Sequence, residues 1–260
     1  MSIIMQSFIA LIPMFLVAVF FWLISIRKKD VSVVDSLWSL FFIIAALTIF
    51  INQEEVSNRA MLVMLLVTIW GLRLSFYITR RHWGHEEDHR YQTIRKNNQP
   101  GFEYKSLYMI FAFQAFIAWI VALPLFYAVS STEPLTLLDG LALVLWLLGM
   151  FFEVIADHQL YQFKKNPDNK GKILTNGLWK YSRHPNYFGE FLVWWGFFLF
   201  ALSNDGYLSV ISPLLMTFLL LKFSGVSLLE QTMKLRPGYE DYMNNTNAFF
   251  PGVSKPRGDL

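Results

Sequence analysis

Asp35, Arg73, Glu153, Asp157, Glu190, Lys222 and Glu230 lie within long apolar stretches of the chain. A charge in such a segment costs about 2.5–3.5 kcal/mol on insertion scales, so these residues are expected to face a partner, a cavity or a substrate. Glu153 and Asp157 are four apart, which puts both on one helix face, and the same face runs on to Tyr161 and Lys164. Asn186 and Glu190 repeat that spacing. A second group starts with Arg73 and Tyr77, also four apart, and continues through Arg80-Arg81 to Glu87-Asp88-His89-Arg90-Tyr91. Guanidinium groups read phosphates through forked hydrogen bonds. A pocket combining Arg73, Arg81, Arg90 and Arg183 with Asn186 and several aromatic rings would suit an anionic cofactor that has phosphates and a ring. The plainer alternative is that the carboxylates are paired or snorkelling end residues, and that the loop arginines set topology and touch anionic headgroups.

The elements that position these side chains are apolar spans. Of 260 residues, 55% are hydrophobic, 17% aromatic and 16% charged, with a mean hydropathy of +0.39. Soluble domains carry about 25% charged residues, so a polytopic membrane protein is expected. Spans are drawn at 3–26, 32–51, 60–79, 107–129, 136–158, 186–203 and 207–229. About seven helices of this kind make an all-α bundle in one integral membrane domain over 1–260. Lys and Arg concentrate in alternate loops, at Arg27-Lys28-Lys29, around 80–105 and around 164–183. By the positive-inside rule the N-terminus is outside and the C-terminus cytoplasmic. The first span starts at Met1 and ends in basic residues without a small-residue cleavage site, so it reads as a retained helix.

The exclusions are equally informative. The chain contains no cysteine, which removes disulfides, thiolate nucleophiles and cysteine metal sites. It has no G-x-G-x-x-G, Walker-type or G-x-S-x-G motif, so any nucleotide must be held by the helices themselves. His82, His85 and His89 sit among acidic residues in a mixed-charge loop, and no metal site is expected there. A net charge of +3 in short clusters does not call for nucleic acid. The Trp194-Trp195-Gly196-Phe197-Phe198 run reads as packing or lipid-facing surface.

The segment from Gly177 through Arg183-His184-Pro185-Asn186-Tyr187-Phe188-Gly189-Glu190 resembles the C-terminal signature of the steroid 5-alpha-reductase superfamily. A looser version occurs in isoprenylcysteine carboxyl methyltransferases. Val34-Asp35-Ser36-Leu37-Trp38, Trp70-Gly71-Leu72-Arg73-Leu74, Glu87-Asp88-His89-Arg90-Tyr91 and Gly238-Tyr239-Glu240-Asp241-Tyr242 through Phe249-Phe250-Pro251 further resemble the bacterial reductase-like group DUF1295. The resemblance covers nearly the whole chain, with a signature region at 136–251. It implies a seven-helix fold in a bacterial inner membrane, NADPH on the cytoplasmic side and a hydrophobic small-molecule substrate, with membrane lipid as the surrounding partner. The carboxylate that polarises the substrate carbonyl falls on Asp35, and the family's Tyr position on Trp70. An indole N–H can donate a hydrogen bond but cannot act as a phenol does. For the cofactor the resemblance carries over to Arg73, Tyr77, Asp157, Lys164, Asn186 and Glu190, with Arg183, His184 and Tyr187 in the signature, and Arg81, Arg90 and Tyr91 beside them.

The reaction expected from this set is NADPH-dependent reduction of a double bond conjugated to a carbonyl. A buried Asp35, kept neutral, would donate a hydrogen bond to the developing enolate. Two other readings stand beside it. One is a membrane methyltransferase using S-adenosylmethionine, which lacks the phosphates that an arginine cluster suits. The other is a lipid-binding or scaffold protein that kept the fold without the activity.

Overall fold

The computed structural model describes residues 2–223 and 225–253, and among them contains helices and no strand. The protein is a polytopic helical membrane protein. Helices α1 (Ile3–Lys28), α2 (Val33–Phe50), α3 (Asn58–His82), α5 (Phe102–Val121) and α7 (Leu137–Lys165) are each long and apolar enough to cross a membrane. The short α4 (His89–Asn97) and α6 (Leu123–Val129) fall between them. Beyond α7 come α8 (Pro185–Leu202), the shorter apolar α9 (Tyr207–Lys222), α10 (Val226–Met233) and α11 (Tyr239–Asn245). The chain divides into two compact units, one of Met1–Thr136 with Phe200–Ser212 and the other of Leu137–Leu199 with Pro213–Leu260.

The expected spans follow the helices closely, with two corrections. The span drawn over 107–129 is not one helix: α5 stops at Val121 and α6 begins at Leu123, with Pro124 in its first turn. Proline has no N–H and cannot continue a helix, so carbonyls of the preceding turn lose their partners. Ser212 donates to the Val121 carbonyl at 2.5 Å, satisfying a group that lipid could not. The span drawn over 207–229 is also broken, into α9 and α10; Ser224 within it lies outside the described residues.

In the first unit α2 and α3 pack at a glycine. A Cβ on Gly71 would lie 2.9 Å from Ile43 Cδ1 and 3.0 Å from the Ser39 carbonyl oxygen, and Ser39 Oγ donates to the Gly71 carbonyl at 2.7 Å. Small residues permit this approach where lipid provides no hydrophobic drive between helices. Leu37, Phe41, Phe42 and Trp70 fill the core beside it. In the second unit α7 and α8 meet at Gly149 and Gly189, where a Cβ on either would stand 2.7 Å or less from the other's carbonyl oxygen. Helix α7 has 29 residues, about 43 Å at 1.5 Å each, so it outruns a ~30 Å hydrocarbon layer by about two and a half turns. Glu153 and Asp157 lie toward its C-terminal end.

Candidate active site

In the first unit two of the sequence motifs are each other's partners. Asp88 caps α4, accepting from the Arg90 N–H at 2.9 Å, and its own N–H donates to Ser32 Oγ at 2.8 Å. Glu87 accepts the Val31 N–H at 2.9 Å and both arms of Arg95, at 2.9 and 2.8 Å. These bonds dock α4 against the start of α2 and aim its next two side chains at Asp35. Arg90 reaches Asp35 Oδ2 at 2.8 Å, and the Tyr91 hydroxyl donates to Asp35 Oδ1 at 2.5 Å. Gln114 of α5 donates to the Tyr91 oxygen at 3.2 Å.

The electrostatics follow from burial and these contacts. Burial raises the Tyr91 pKa, and the adjacent Asp35 charge raises it further, so the phenol stays protonated well beyond neutral pH. Burial works against the Arg90 cation, but the Asp88 bond and the Asp35 charge outweigh it, and its pKa rises. Asp88 shows the reverse balance: burial pushes it up, yet the bonds from Arg90 hold it below the ordinary value.

Both Asp35 oxygens accept hydrogen bonds in this geometry, and the hydroxyl beside them is that of Tyr91. Trp70 is fully buried and packs on Phe42 with ring centroids 5.6 Å apart, as a core residue does. Arg73, Tyr77 and Arg81 line one side of α3, with the Arg81 guanidinium 5.8 Å from the Tyr77 ring centroid.

In the second unit the signature ties down the C-terminal segment. Arg183 donates to Glu230 Oε1 at 2.8 Å and to the carbonyls of Met243 and Thr246 at 3.0 and 2.5 Å. Its backbone N–H reaches the Asn247 carbonyl, Ser182 Oγ the Phe249 carbonyl, and the Tyr242 hydroxyl the Trp179 carbonyl. Burial drives the His184 imidazole down to about 4, against the upward pull of Glu230 3.3 Å away. Its ring stacks on Tyr187 at 5.6 Å. Burial raises the Glu230 carboxyl, but the Arg183 hydrogen bond and charge more than offset this. Asn186 donates to Asp157 at 3.2 Å, and Trp194 to Glu190 at 2.9 Å. Lys164 is exposed near the end of α7.

The four arginines expected in one pocket are therefore not equivalent. Arg90 and Arg183 each have their own carboxylate, and Arg183 is only 8% exposed. Sequence reasoning missed Gln114 and the Glu87–Arg95 fork. The acid–base pattern of Glu87-Asp88-His89-Arg90 was the available signal for the fork, and a polar side chain in the apolar α5 for Gln114.

A family model described as "Protein of unknown function (DUF1295)" matches residues 21–246. The chain belongs to the DUF1295 family. An uncharacterized protein of Schizosaccharomyces pombe is 26% identical to this DUF1295 chain over 286 residues, covering 97% of it and 81% of the yeast protein. The mouse 3-oxo-5-alpha-steroid 4-dehydrogenase 1 is 41% identical over 69 residues, 26% of each protein, which sets the DUF1295 chain in the steroid 5-alpha-reductase-like superfamily. The probable O-methyltransferase ustE of Ustilaginoidea virens is 41% identical over 51 residues, 20% of this chain and 18% of its own. No solved structure matches the DUF1295 chain.

Proposed function

We propose that the protein is an NADPH-dependent reductase of a carbon–carbon double bond conjugated to a carbonyl in a hydrophobic substrate, with its Lys- and Arg-rich helix ends in the cytoplasm. The observation that carries this reading is the pairing of half-buried Asp35 with the buried Tyr91, braced by Arg90 and Gln114 at the end of membrane-crossing helices. The local similarity to a steroid dehydrogenase supports the same chemistry.

The donor set fits such a cofactor. Arg81 places an exposed cation beside the Tyr77 ring, a combination suited to a phosphate next to an aromatic group. Asp157 and Asn186 present a carboxylate and an amide, which suit ribose hydroxyls or a carboxamide. In this reading Arg73, Tyr77 and Arg81 are the cofactor-binding candidates of the first unit, and Asp157, Lys164, Asn186, Tyr187 and Glu190 those of the second, each set taken by itself. Arg90, Arg183 and His184 position the segments around them. The bound cofactor supplies a hydride.

The chain's own residues handle the charge that results. Tyr91, turned from Asp35 toward the substrate carbonyl, donates a hydrogen bond that stabilises the negative charge growing on that oxygen. Asp35, fixed by Arg90, sets the orientation of the phenol, and Gln114 donates into the phenol oxygen.

The test is a thermal-shift titration of the detergent-purified chain with NADPH, NADH and S-adenosylmethionine, repeated on Arg73→Ala and Asn186→Ala. Anything that binds only the folded state raises its stability by mass action. The expected result is stabilisation by NADPH that weakens in both variants. The match to a probable O-methyltransferase favours one other reading, and stabilisation by S-adenosylmethionine alone would replace the reductase with it.

A further inference from the structure

The turn 234–238, between α10 and α11, has a fixed shape. The Lys234 and Arg236 N–H groups donate back to the Glu230 and Met233 carbonyls at 2.9 Å each, and Gly238 supplies the left-handed φ of 78° that leads into α11. Arg236 Nη1 donates to the Lys172 carbonyl at 3.2 Å, which seats the turn on the segment following α7. That segment is tied down in its own right. Asn166 Oδ1 accepts the Asp168 N–H at 3.0 Å, and Asn169 donates to the Phe163 carbonyl of α7 at 3.0 Å. The side chain that the turn holds out is Leu235, 85% exposed.

A leucine exposed by itself is ordinary. This one stands between Lys234 and Arg236, with Lys165, Lys170 and Lys172 on the adjoining segment, all of them exposed. None of the four lysine side chains makes a hydrogen bond or an ion pair among the described residues, and Arg236 has a carbonyl rather than a carboxylate as its partner. The acids of the stretches 165–172 and 234–241 are Asp168 and, at the start of α11, Glu240 and Asp241. Five cations against three carboxylates leave an excess of positive charge around one apolar side chain. The bilayer is within reach of it. Helix α7 ends at Lys165, and α10, whose 8 residues span about 12 Å, is what separates the turn from the end of the apolar α9.

We propose that this surface of the second unit docks on the anionic headgroups of the surrounding bilayer, with Leu235 inserted among the lipids and Lys170, Lys172 and Lys234 beside their phosphates. Apolar insertion and attraction to anionic lipid act together in such contacts. The contact would hold the segment that carries Glu230, the partner of Arg183. It is separate from the proposed reductase chemistry and does not depend on it.

The absence of cysteine makes the test direct, because Leu235→Cys provides a single attachment point for a nitroxide on the full chain. The labelled protein is placed in nanodiscs of palmitoyl-oleoyl phosphatidylcholine, with and without palmitoyl-oleoyl phosphatidylglycerol. Electron paramagnetic resonance then reads collisions with oxygen, which concentrates in lipid, and with a nickel chelate, which stays in water. The expected label is open to oxygen and shielded from nickel in the phosphatidylglycerol discs, and less shielded without that lipid. An exposed position tolerates the change, so the melting temperature should match the wild type. A lysine near an anionic surface is worth about a fivefold preference, so Lys170→Gln with Lys234→Gln should move the label roughly 25-fold toward water. A label equally open to nickel in both discs would overturn the proposal. So would shielding that is the same without phosphatidylglycerol or in the double glutamine variant. Shielding from both oxygen and nickel that persists in detergent would overturn it as well, since protein rather than lipid would then cover Leu235.

Discussion

The Tyr91 hydroxyl donates to Asp35 Oδ1 at 2.5 Å, across a separation of 56 positions in the chain. Arg90 completes the link on the other oxygen, so one carboxylate receives two neighbouring side chains of α4. The arrangement keeps a buried phenol loaded with its proton, because ionising it would set a phenolate beside a carboxylate.

If Tyr91 is the donor in the proposed reaction, Tyr91→Phe should lower the turnover of a lipid-soluble enone by roughly 100-fold while leaving the NADPH thermal shift in place. Trp70→Phe should retain most of the turnover, since Trp70 packs in the core. Steady-state kinetics on the two variants with one enone decide between them: activity lost in Trp70→Phe and kept in Tyr91→Phe would return the role to the indole.

The membrane helices were legible in the sequence because lipid demands long apolar runs, and α1, α2, α3 and α7 follow from that demand alone. The break at Val121 was less so, although Pro124 marked it, because hydropathy continues unbroken across the gap. The site was legible only as separate motifs. Nothing in a local pattern says that Asp35 will meet Arg90 and Tyr91, or that Arg183 will find Glu230 and the Met243 and Thr246 carbonyls. Those pairings are set by tertiary packing of helix ends, which carries no period in the sequence.

Backbone contact between α7 and α8 makes a sharp stability prediction. The Gly189 carbonyl oxygen would lie 2.7 Å from a Cβ on Gly149, and backbone cannot move aside as a flexible side chain can. Gly149→Ala should therefore cost at least about 1–3 kcal/mol and lower the melting temperature in detergent. Gly140→Ala is the matched control, because a Cβ there meets nothing within 4 Å. Equal melting temperatures for the two variants would contradict the close packing.

His184 makes stability depend on pH with a definite sign. Its folded-state value of about 4 lies below the ordinary 6.5, so between those limits the unfolded chain binds a proton that the folded chain refuses. Stability is full above pH 6.5 and falls as pH drops toward 4, by an amount on the order of 3 kcal/mol. The lowered Glu230 adds to the loss at the acid end with the same sign. Melting curves across this range should show the decline, and His184→Gln should flatten it. A slope unchanged in that variant would assign the effect to other groups.

Arg183 connects the signature to the C-terminal segment in a way that lysine cannot reproduce. Its Nε meets Glu230 while Nη1 serves two carbonyls from the end of α11, a set of directions fixed by the planar guanidinium. A lysine ammonium could keep the charge opposite Glu230 but would leave buried carbonyls without donors. Breaking a buried pair of this kind costs roughly 3–5 kcal/mol when one partner is removed, so Arg183→Ala sets the upper end and Arg183→Lys should fall below it. The loss should also be local before it is global, because the bonds from Arg183 end on Met243, Thr246 and Asn247. Hydrogen-exchange mass spectrometry should therefore show faster exchange over 239–252 in Arg183→Lys, with α7 and α8 near wild-type rates. Uniform acceleration across the second unit would instead mean that Arg183 stabilises the helices themselves, and unchanged exchange over 239–252 would mean that the segment is held by the Ser182 and Tyr242 bonds without it.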